Sequence, residues 1–264
     1  MHWIIESNLI NTGSYKELLD TLVNKSIPFT IVKLSADKKR ILPYNFSLKA
    51  NEDEEYINFK YINNIVLGTH DLVLIAQNKA WIPGAFLNAN FDHQIIVENW
   101  GNHLLNYDGK IKKIRDIKEF TEKFFIRPTN DSKIFDGLIV DFDSFIDWKE
   151  KIRTNNISSG TQVLISTVKE ILAEYRLFIV GGKIITGSQY RKNNHTVHNP
   201  IIPNETLYFA THILQLWQPA KAFTVDIALT NEGHKVIEIN CINSSEFYAS
   251  DMAKVVNAIE LLEY

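Results

Sequence analysis

Two carboxylates and one amide are spaced so that a single β-hairpin can bring them together. Phe223-Thr-Val-Asp-Ile-Ala-Leu-Thr230 and Lys235-Val-Ile-Glu-Ile-Asn240 alternate apolar and non-apolar residues, and the intervening Asn231-Glu-Gly-His234 is turn-forming. With a period of two, Phe223, Val225, Ile227 and Leu229 point one way, and Asp226 points the other with Thr224 and Ala228. On the second run Glu238 and Asn240 share a face with Val236, and a turn centred near Glu232 sets Asp226 close to Glu238. Like charges placed opposite each other destabilise a sheet, so the pattern asks for a cation. Three oxygen donors of this kind suit Mg²⁺ carrying substrate phosphates. The plainer alternative is a solvated hairpin face with scattered acids.

Candidate cations lie upstream. Phe124-Phe-Ile-Arg-Pro128 reads as a strand closed by proline, with Arg127 at its end; Lys133 lies in a polar, turn-rich loop closed by Gly137. Arginine as a fork and lysine as a point charge can hold phosphate oxygens, or both can be surface charges. Glu174-Tyr-Arg176 opens a strand running to Val180, and Gly181-Gly182 turns it into Lys183-Ile-Ile-Thr186. Glu174 and Arg176 share a face with Phe178 and Val180, where an arginine is seldom without a partner. The pair can bond each other or serve a ligand. His195 and His198 have metal-like spacing but no third ligand nearby, and Arg191 to Asn199 reads as a polar loop able to close over a ligand.

Several chemistries lack their signatures. No GxxxxGK[ST] loop occurs, and no GxGxxG follows a strand, so a bound nucleotide has to be held by side chains between sheets. No GxSxG elbow is present, and Cys241, the only cysteine, has no triad company and no disulfide partner. The chain has 264 residues, 45% hydrophobic and 22% charged, with a formal charge of −3, which fits a folded protein with sizeable cores. That charge gives no reason to expect nucleic acid or an anionic membrane as a partner. No apolar run approaches the roughly 20 residues of a membrane span. The N-terminus has no signal-peptide pattern, and the expected location is the cytoplasm.

The elements that must position these residues fall into two parts. Trp3-Ile-Ile-Glu6, a helix opened by Ser14 and Glu17 with Leu18, Leu19, Leu22 and Val23 on one face, and a strand from Ile27 to Leu34 begin a small α/β domain. Asp71 to Ala76 reads as a second buried strand, Asn51 to Glu55 as a surface loop, and residues 78–112 as rich in turn formers and aromatics. Asp116 and Glu119 mark a short helix ending near Lys123, and Ser144 caps another running through Trp148 to Arg153. Thr161 to Ser166 is a strand, Asn204 opens a helix bounded by Pro203 and Pro219, and a last helix starts near Ser250. The expected organisation is an α/β domain over 1–112 and antiparallel sheet with helices over 113–264.

In that order, Arg127, Lys133, the apolar strand Val163 to Ser166, Glu174-Tyr-Arg176, Asp226 and Glu238-Ile-Asn240 resemble an ATP-grasp enzyme. The chain looks most like the clade of bacterial and phage ATP-grasp proteins named for one arginine and two lysines. The resemblance spans the whole chain and is strongest over 120–250; the Asp…Glu-x-Asn set is its most specific part. It implies an α+β fold in which two antiparallel-sheet subdomains clamp ATP, preceded by a small α/β domain. It further implies adenine near Ser166, Thr167, Val168 and Lys169, ribose at Glu174, and phosphates at Arg127 and Lys133. By the same resemblance, Arg176 lies near the transferred group, one or two Mg²⁺ (or Mn²⁺) at Asp226, Glu238 and Asn240, and Asn243 at the acceptor. The implied activity is an ADP-forming carboxylate–amine (or thiol) ligase acting on small-molecule or peptide substrates; a nucleotide-binding regulatory module or a phosphotransferase is the alternative. The chain departs from the family pattern where many members carry Lys in place of Arg127, where a glycine-rich lid is missing, and at Glu246, where a small residue is expected.

Overall fold

The computed structural model, which describes residues 1–11, 13–44, 59, 63–86, 92–118, 121–129 and 134–263, builds the chain from three sheets. The first holds β1 (His2–Glu6), β2 (Phe29–Leu34), β3 (Ile41–Pro43) and β4 (Asn64–Leu67), with α1 (Gly13–Asn24), α2 (His70–Asn78) and α3 (His93–Trp100) beside it. Its order is β3-β2-β1-β4, with β1 parallel to β2 and β4, and β3 antiparallel to β2. The second is antiparallel, in the order β5-β8-β6-β7, from β5 (Lys110–Lys113), β6 (Phe124–Pro128), β7 (Leu138–Val140) and β8 (Gln162–Thr167), with α4 (Phe142–Thr154).

The third sheet is antiparallel too: β9 (Ile171–Val180), β10 (Lys183–Lys192), β11 (His195–Asn199), β12 (Ala222–Thr230) and β13 (Gly233–Asn240), ordered β11-β10-β9-β12-β13. Helices α5 (Asn204–Leu216) and α6 (Met252–Glu260) pack on it. No helix among the described residues is long and apolar enough to cross a membrane.

The core crosses the boundary expected near residue 112. Ile4, Val32 and Val66 of the first sheet pack in one cluster with Leu177, Ile179, Val225 and Ile227 of the third, and α5 contributes Ile213. The other face of the third sheet gives Phe178, Val180 and Ala222 to a second cluster with Phe247 and α6. The second sheet has its own smaller core with α4, from Phe124, Ile126, Phe145 and Trp148.

Several local expectations are corrected. Asp71 to Ala76 lies in helix α2, and the buried strand is β4. Leu72, Val73, Ile75 and Ala76 are buried while Leu74 is exposed, a three-and-four spacing that a short apolar run does not distinguish from a strand. No helix reaches Lys123: Ile114–Asp116 is a single 3₁₀ turn, and residues 121–123 are bend and irregular chain. Helix α4 starts at Asp141, whose carboxylate accepts from the Ser144 N–H while the Ser144 hydroxyl accepts from the Asp141 N–H, so Ser144 is the third helical residue of a capping box. His195 and His198 sit on β11 and not in a loop, because Asn193 and Asn194 adopt the left-handed turn of a hairpin. The turn-rich stretch 78–112 contains α3, whose Trp100 is buried and donates to the Ile213 carbonyl at 3.0 Å. The loop expected at 51–55 and Glu119 lie outside the described residues.

Asn243, in the 3₁₀ turn Ile242–Ser244 after β13, ties the first sheet to the third. Its amide oxygen accepts from the Phe86 N–H at 2.9 Å, its amide nitrogen donates to the Val66 carbonyl at 2.7 Å, and its own carbonyl accepts from the Gly68 N–H at 2.9 Å. Asn243→Ala strips two buried backbone groups of these partners and is expected to cost about 2 to 4 kcal/mol. Denaturant unfolding of the variant beside wild type measures this, and a loss within error would remove Asn243 from the clamp.

Candidate active site

A cleft of about 1380 Å³ lies between the second and third sheets. Strand parity explains its chemistry. Along β9, Leu177 and Ile179 face the core shared with the first sheet, while Glu174, Arg176, Phe178 and Val180 share the opposite face. Where α6 and Phe247 cover that face it is apolar; where the cleft opens it is charged. On β12 the same alternation buries Phe223, Val225 and Ile227 and turns Asp226 to the cleft.

Register then sets a lateral row. Arg176 on β9 is paired with Asp226 on β12, and Asp226 with Glu238 on β13. The Arg176 Nε donates to Asp226 Oδ1 at 2.8 Å and its Nη2 to Oδ2 at 2.7 Å, a buried bidentate pair. Burial opposes the charge on Arg176, but the Asp226 carboxylate outweighs it and raises the guanidinium pKa. Burial drives the Asp226 carboxyl upward; Arg176 works against this, and Glu238 and Glu174 add to it. Arg176 is therefore the group that favours the charged form of Asp226 against its burial.

Two bulges re-aim neighbouring side chains into the cleft. Beside Asp226 and Ile227, β13 skips a pairing, so Glu238 faces Asp226 while Val236 pairs with Ile227. Val236 consequently packs in the core with Ile239, and not on the face of Glu238 and Asn240 where simple alternation puts it. On β10 the register slips between Gln189 and Arg191, and Tyr190 and Arg191 both line the cleft. The Tyr190 hydroxyl donates to Glu174 Oε2 at 2.6 Å, and Arg191 Nη1 donates to Glu174 Oε1 at 2.8 Å. Glu174 and Arg176 are thus not bonded to each other; each has a partner on a neighbouring strand.

Tyr190 stacks on Tyr248 with ring centroids 4.8 Å apart, and the Arg176 guanidinium lies 5.8 Å and 5.2 Å from the two rings. Burial first, then the Asp226 and Glu174 charges, raise the Tyr190 pKa, so its hydroxyl remains a donor. Burial is also the leading reason that Tyr248 is pushed up to about 12. Arg176 reaches further, donating from Nη1 to the Glu246 carbonyl at 3.3 Å.

Of the residues singled out in the sequence, Arg127, Thr167, Val168, Lys169, Glu174, Arg176, Asp226, Glu238 and Asn240 line the cleft. Arg127 lies 3.7 Å from Glu238 across it. The Asn240 amide donates to Glu238 Oε1 at 2.9 Å. The Ser166 hydroxyl is bonded to Asn106 and Asn243 is spent in the clamp between sheets, and neither residue is in the lining of the cleft. Lys133 lies outside the described residues. Tyr190, Tyr248 and Asp108 were not singled out in the sequence, and Arg191, expected as the start of a polar loop, lies on β10 bonded to Glu174; the aromatic–charged Tyr190-Arg191 pair at the end of a hairpin strand was the available signal.

Among the described residues no three His, Cys, Asp or Glu side chains group as a metal site. A divalent cation can still be held by Glu238 with Asn240, which adjoin on the open side of the cleft, because Mg²⁺ uses few protein oxygens and fills its shell from water and phosphate. Both Asp226 oxygens accept from Arg176 and are taken up in that pair.

Arg176→Met leaves Asp226 buried without its partner, at an expected cost of about 3 to 5 kcal/mol at neutral pH. The folded-state pKa of Asp226 stands above its ordinary 3.8 even beside Arg176, and losing the guanidinium raises it further, so in the variant stability is greatest below 3.8 and falls as pH rises through the folded pKa. The deficit against wild type should shrink as pH is lowered from 7 toward 4. Chemical denaturation across that range checks this, and a deficit that grows toward acid would refute the ion-pair account.

The model of one ATP-grasp domain family, family 3 of the clade named for one arginine and two lysines, matches residues 55–259. No curated protein sequence matches the chain. Among solved structures, the RimK domain ATP-grasp protein of Sphaerobacter thermophilus DSM 20745 superposes with a TM-score of 0.62 at 11% identity, over 97% of this chain and 98% of that one. D-alanine–D-alanine ligase of Bacillus anthracis gives 0.57 at 14% identity, over 98% and 92%. The ATP-grasp ligase PsnB with a minimal precursor gives 0.56 at 10% identity, over 98% and 97%. Identities this low carry the fold alone, and the fold is α/β with two antiparallel sheets enclosing a cleft.

Proposed function

The chain belongs to that ATP-grasp domain family, the third of its clade, and on that premise we propose that it is an ATP-dependent carboxylate–amine (or thiol) ligase. The observation that carries this reading is the row Arg176, Asp226 and Glu238 on the cleft face of adjacent strands, with Arg127 opposite. The solved relatives named as ligases are further support for the reaction class.

A carboxylate oxygen of the substrate attacks the γ-phosphorus of ATP, the bond to the β-phosphate oxygen breaks, and ADP leaves. The amine then attacks the acyl carbon; phosphate departs with the carbon–oxygen bonding pair, and the amine proton is lost to solvent. Neither step needs a side-chain nucleophile. Positioning and charge stabilisation supply the acceleration. Mg²⁺, when bound at Glu238 and Asn240, neutralises phosphate charge.

The resting site is self-neutralised, with Asp226 against Arg176 and Glu238 near Arg127. In this reading the two arginines exchange these acids for phosphate oxygens, which frees the acids for the cation. Arg127 holds phosphate, and Arg176 holds the transferred group. Lys133 is proposed beside them on sequence grounds. Adenine is placed along the backbone of Thr167, Val168 and Lys169, and ribose against Glu174. The acceptor is placed beyond Arg176, toward Tyr248 and Glu246.

The test is Mg²⁺-dependent ADP release by the purified chain with pools of carboxylates and amines, including peptides, with mass spectrometry of the product. A mass equal to the two substrates less water supports the ligase. A stable phosphorylated product would identify a phosphotransferase, and ADP no higher than background would identify a binding module. Glu238→Gln, at a half-exposed position, is expected to leave the fold intact and lower turnover by about 100-fold or more. Wild-type turnover in that variant would end the metal assignment. Lys133→Ala is expected to raise the KM for ATP.

A further inference from the structure

A strap of chain, which contributes Leu105 and Asn106 to the cleft lining, grips both of its sheets. The 3₁₀ turn Gly101–His103 leads to Leu104, which bridges to Val236 of β13, and the Leu105 N–H donates to the Val236 carbonyl at 2.8 Å. Lys235 of the same strand donates to the Asn102 carbonyl at 2.8 Å. A few residues on, Lys110–Lys113 pairs with Gln162–Ile165 of β8 in the second sheet. Between these anchorages Asn106, Tyr107 and Asp108 lie against the segment where β8 ends and β9 of the third sheet begins.

Asp108 makes most of that contact. One carboxylate oxygen accepts from the Thr167 N–H at 3.2 Å and from its hydroxyl at 2.7 Å; the other accepts from the Lys169 ammonium. Burial alone would raise the Asp108 pKa, but the bonds from Lys169 and Thr167 outweigh it and hold the carboxyl below its ordinary value. Asn106 takes the Ser166 hydroxyl at 2.9 Å in a buried contact, and the Tyr107 ring lies 6.0 Å from the Lys169 ammonium and 5.6 Å from that of Lys235. The turn needs Gly109, where an added Cβ would sit 2.5 Å from a Leu164 methyl carbon and 2.8 Å from the Asn106 carbonyl. Lys169 is therefore not a free cation for a ligand. Its side chain is spent on the strap, and Val168 between the two anchored residues lines the cleft.

We infer that Asp108 is a positioning residue for the nucleotide. Resting on the reading above, in which the base is bonded by backbone at 167–169, Asp108 fixes that backbone in its binding geometry before the nucleotide arrives. The short segment 167–170 joins the second sheet to the third and lines the cleft, so one wall of the proposed base site is this connection, the hinge between the sheets. Left free, the hinge loses backbone freedom each time the nucleotide binds; anchored from the strap, it loses little. Asp108 acts at a distance from the reacting phosphate, so its effect falls on affinity and not on the chemical step.

The experiment compares wild type, Asp108→Ala and Asp108→Asn, the last retaining an oxygen acceptor for Thr167 without the charge for Lys169. Direct binding of a non-hydrolysable ATP analogue, KM and kcat, and hydrogen exchange of the amides at 166–170 without nucleotide are measured. Asp108→Ala is expected to weaken analogue binding and raise KM by about tenfold, with kcat changed less than about twofold and hinge exchange accelerated by a similar factor. Asp108→Asn should fall between the two, and it carries the test alone if the alanine variant does not fold. Unchanged affinity and exchange in a variant whose wild type binds the analogue would overturn this inference alone. A fall in kcat at constant KM would overturn it as well. A wild type that binds no analogue would overturn the reading above, and this inference with it.

Discussion

The buried pair between Arg176 and Asp226 is the interaction on which the cleft depends. A lone carboxylate at that depth would take up a proton, and a lone guanidinium would carry an unrecovered desolvation cost. Together, with two short bonds across adjacent strands, each satisfies the other at the floor of the cleft, where little of either is exposed. The aromatic faces of Tyr190 and Tyr248 enclose the cation, and Tyr190 links the pair to Glu174 and Arg191. The third sheet thus holds its functional groups as one bonded network, and any ligand that enters has to exchange bonds with that network instead of filling an empty basin.

That network is possible because one sheet is used differently along its length. Its inner face meets the first sheet, α3 and α5 in a continuous apolar core. Its outer face is sealed by α6 and Phe247 at one end and left open at the other. The bulges near Tyr190 and Ile237 sit where the open part begins, and they put polar residues on the cleft side without moving the strands out of the core. The second sheet, with a core of its own, faces this open end and contributes Arg127. The cleft thus lies between a sheet fixed in the main core and one with a separate core of its own.

Much of this architecture could be read from the chain. Alternating strands with glycine turns, read over 174–186 and 223–240, gave the two hairpins at the centre of the third sheet, which extend to 171–192 and 222–240, because period-two burial and turn chemistry are local properties. The helices α5 and α6 followed from apolar spacing of three and four. The errors fall where local pattern is ambiguous. Asp71 to Ala76 is a short apolar run that fits either structure, and its helical state is decided by the surface it packs on. Val236 was assigned to the wrong face because a bulge shifts parity, and a bulge depends on how two strands pair.

For the site, the residue types and spacing determined that acids from neighbouring strands would meet and that Asp226 would oppose Glu238; that Arg127, Glu174 and Arg176 would lie near them was implied by the family resemblance. The partners of those groups were decided only by the tertiary structure. Arg176 belongs to Asp226, Glu174 to Tyr190 and Arg191, Lys169 to Asp108, and Asn243 to the first sheet. The physical reason is that strand periodicity is a property of one segment, whereas a buried charge is satisfied by whichever group the packing of several segments brings within bonding distance.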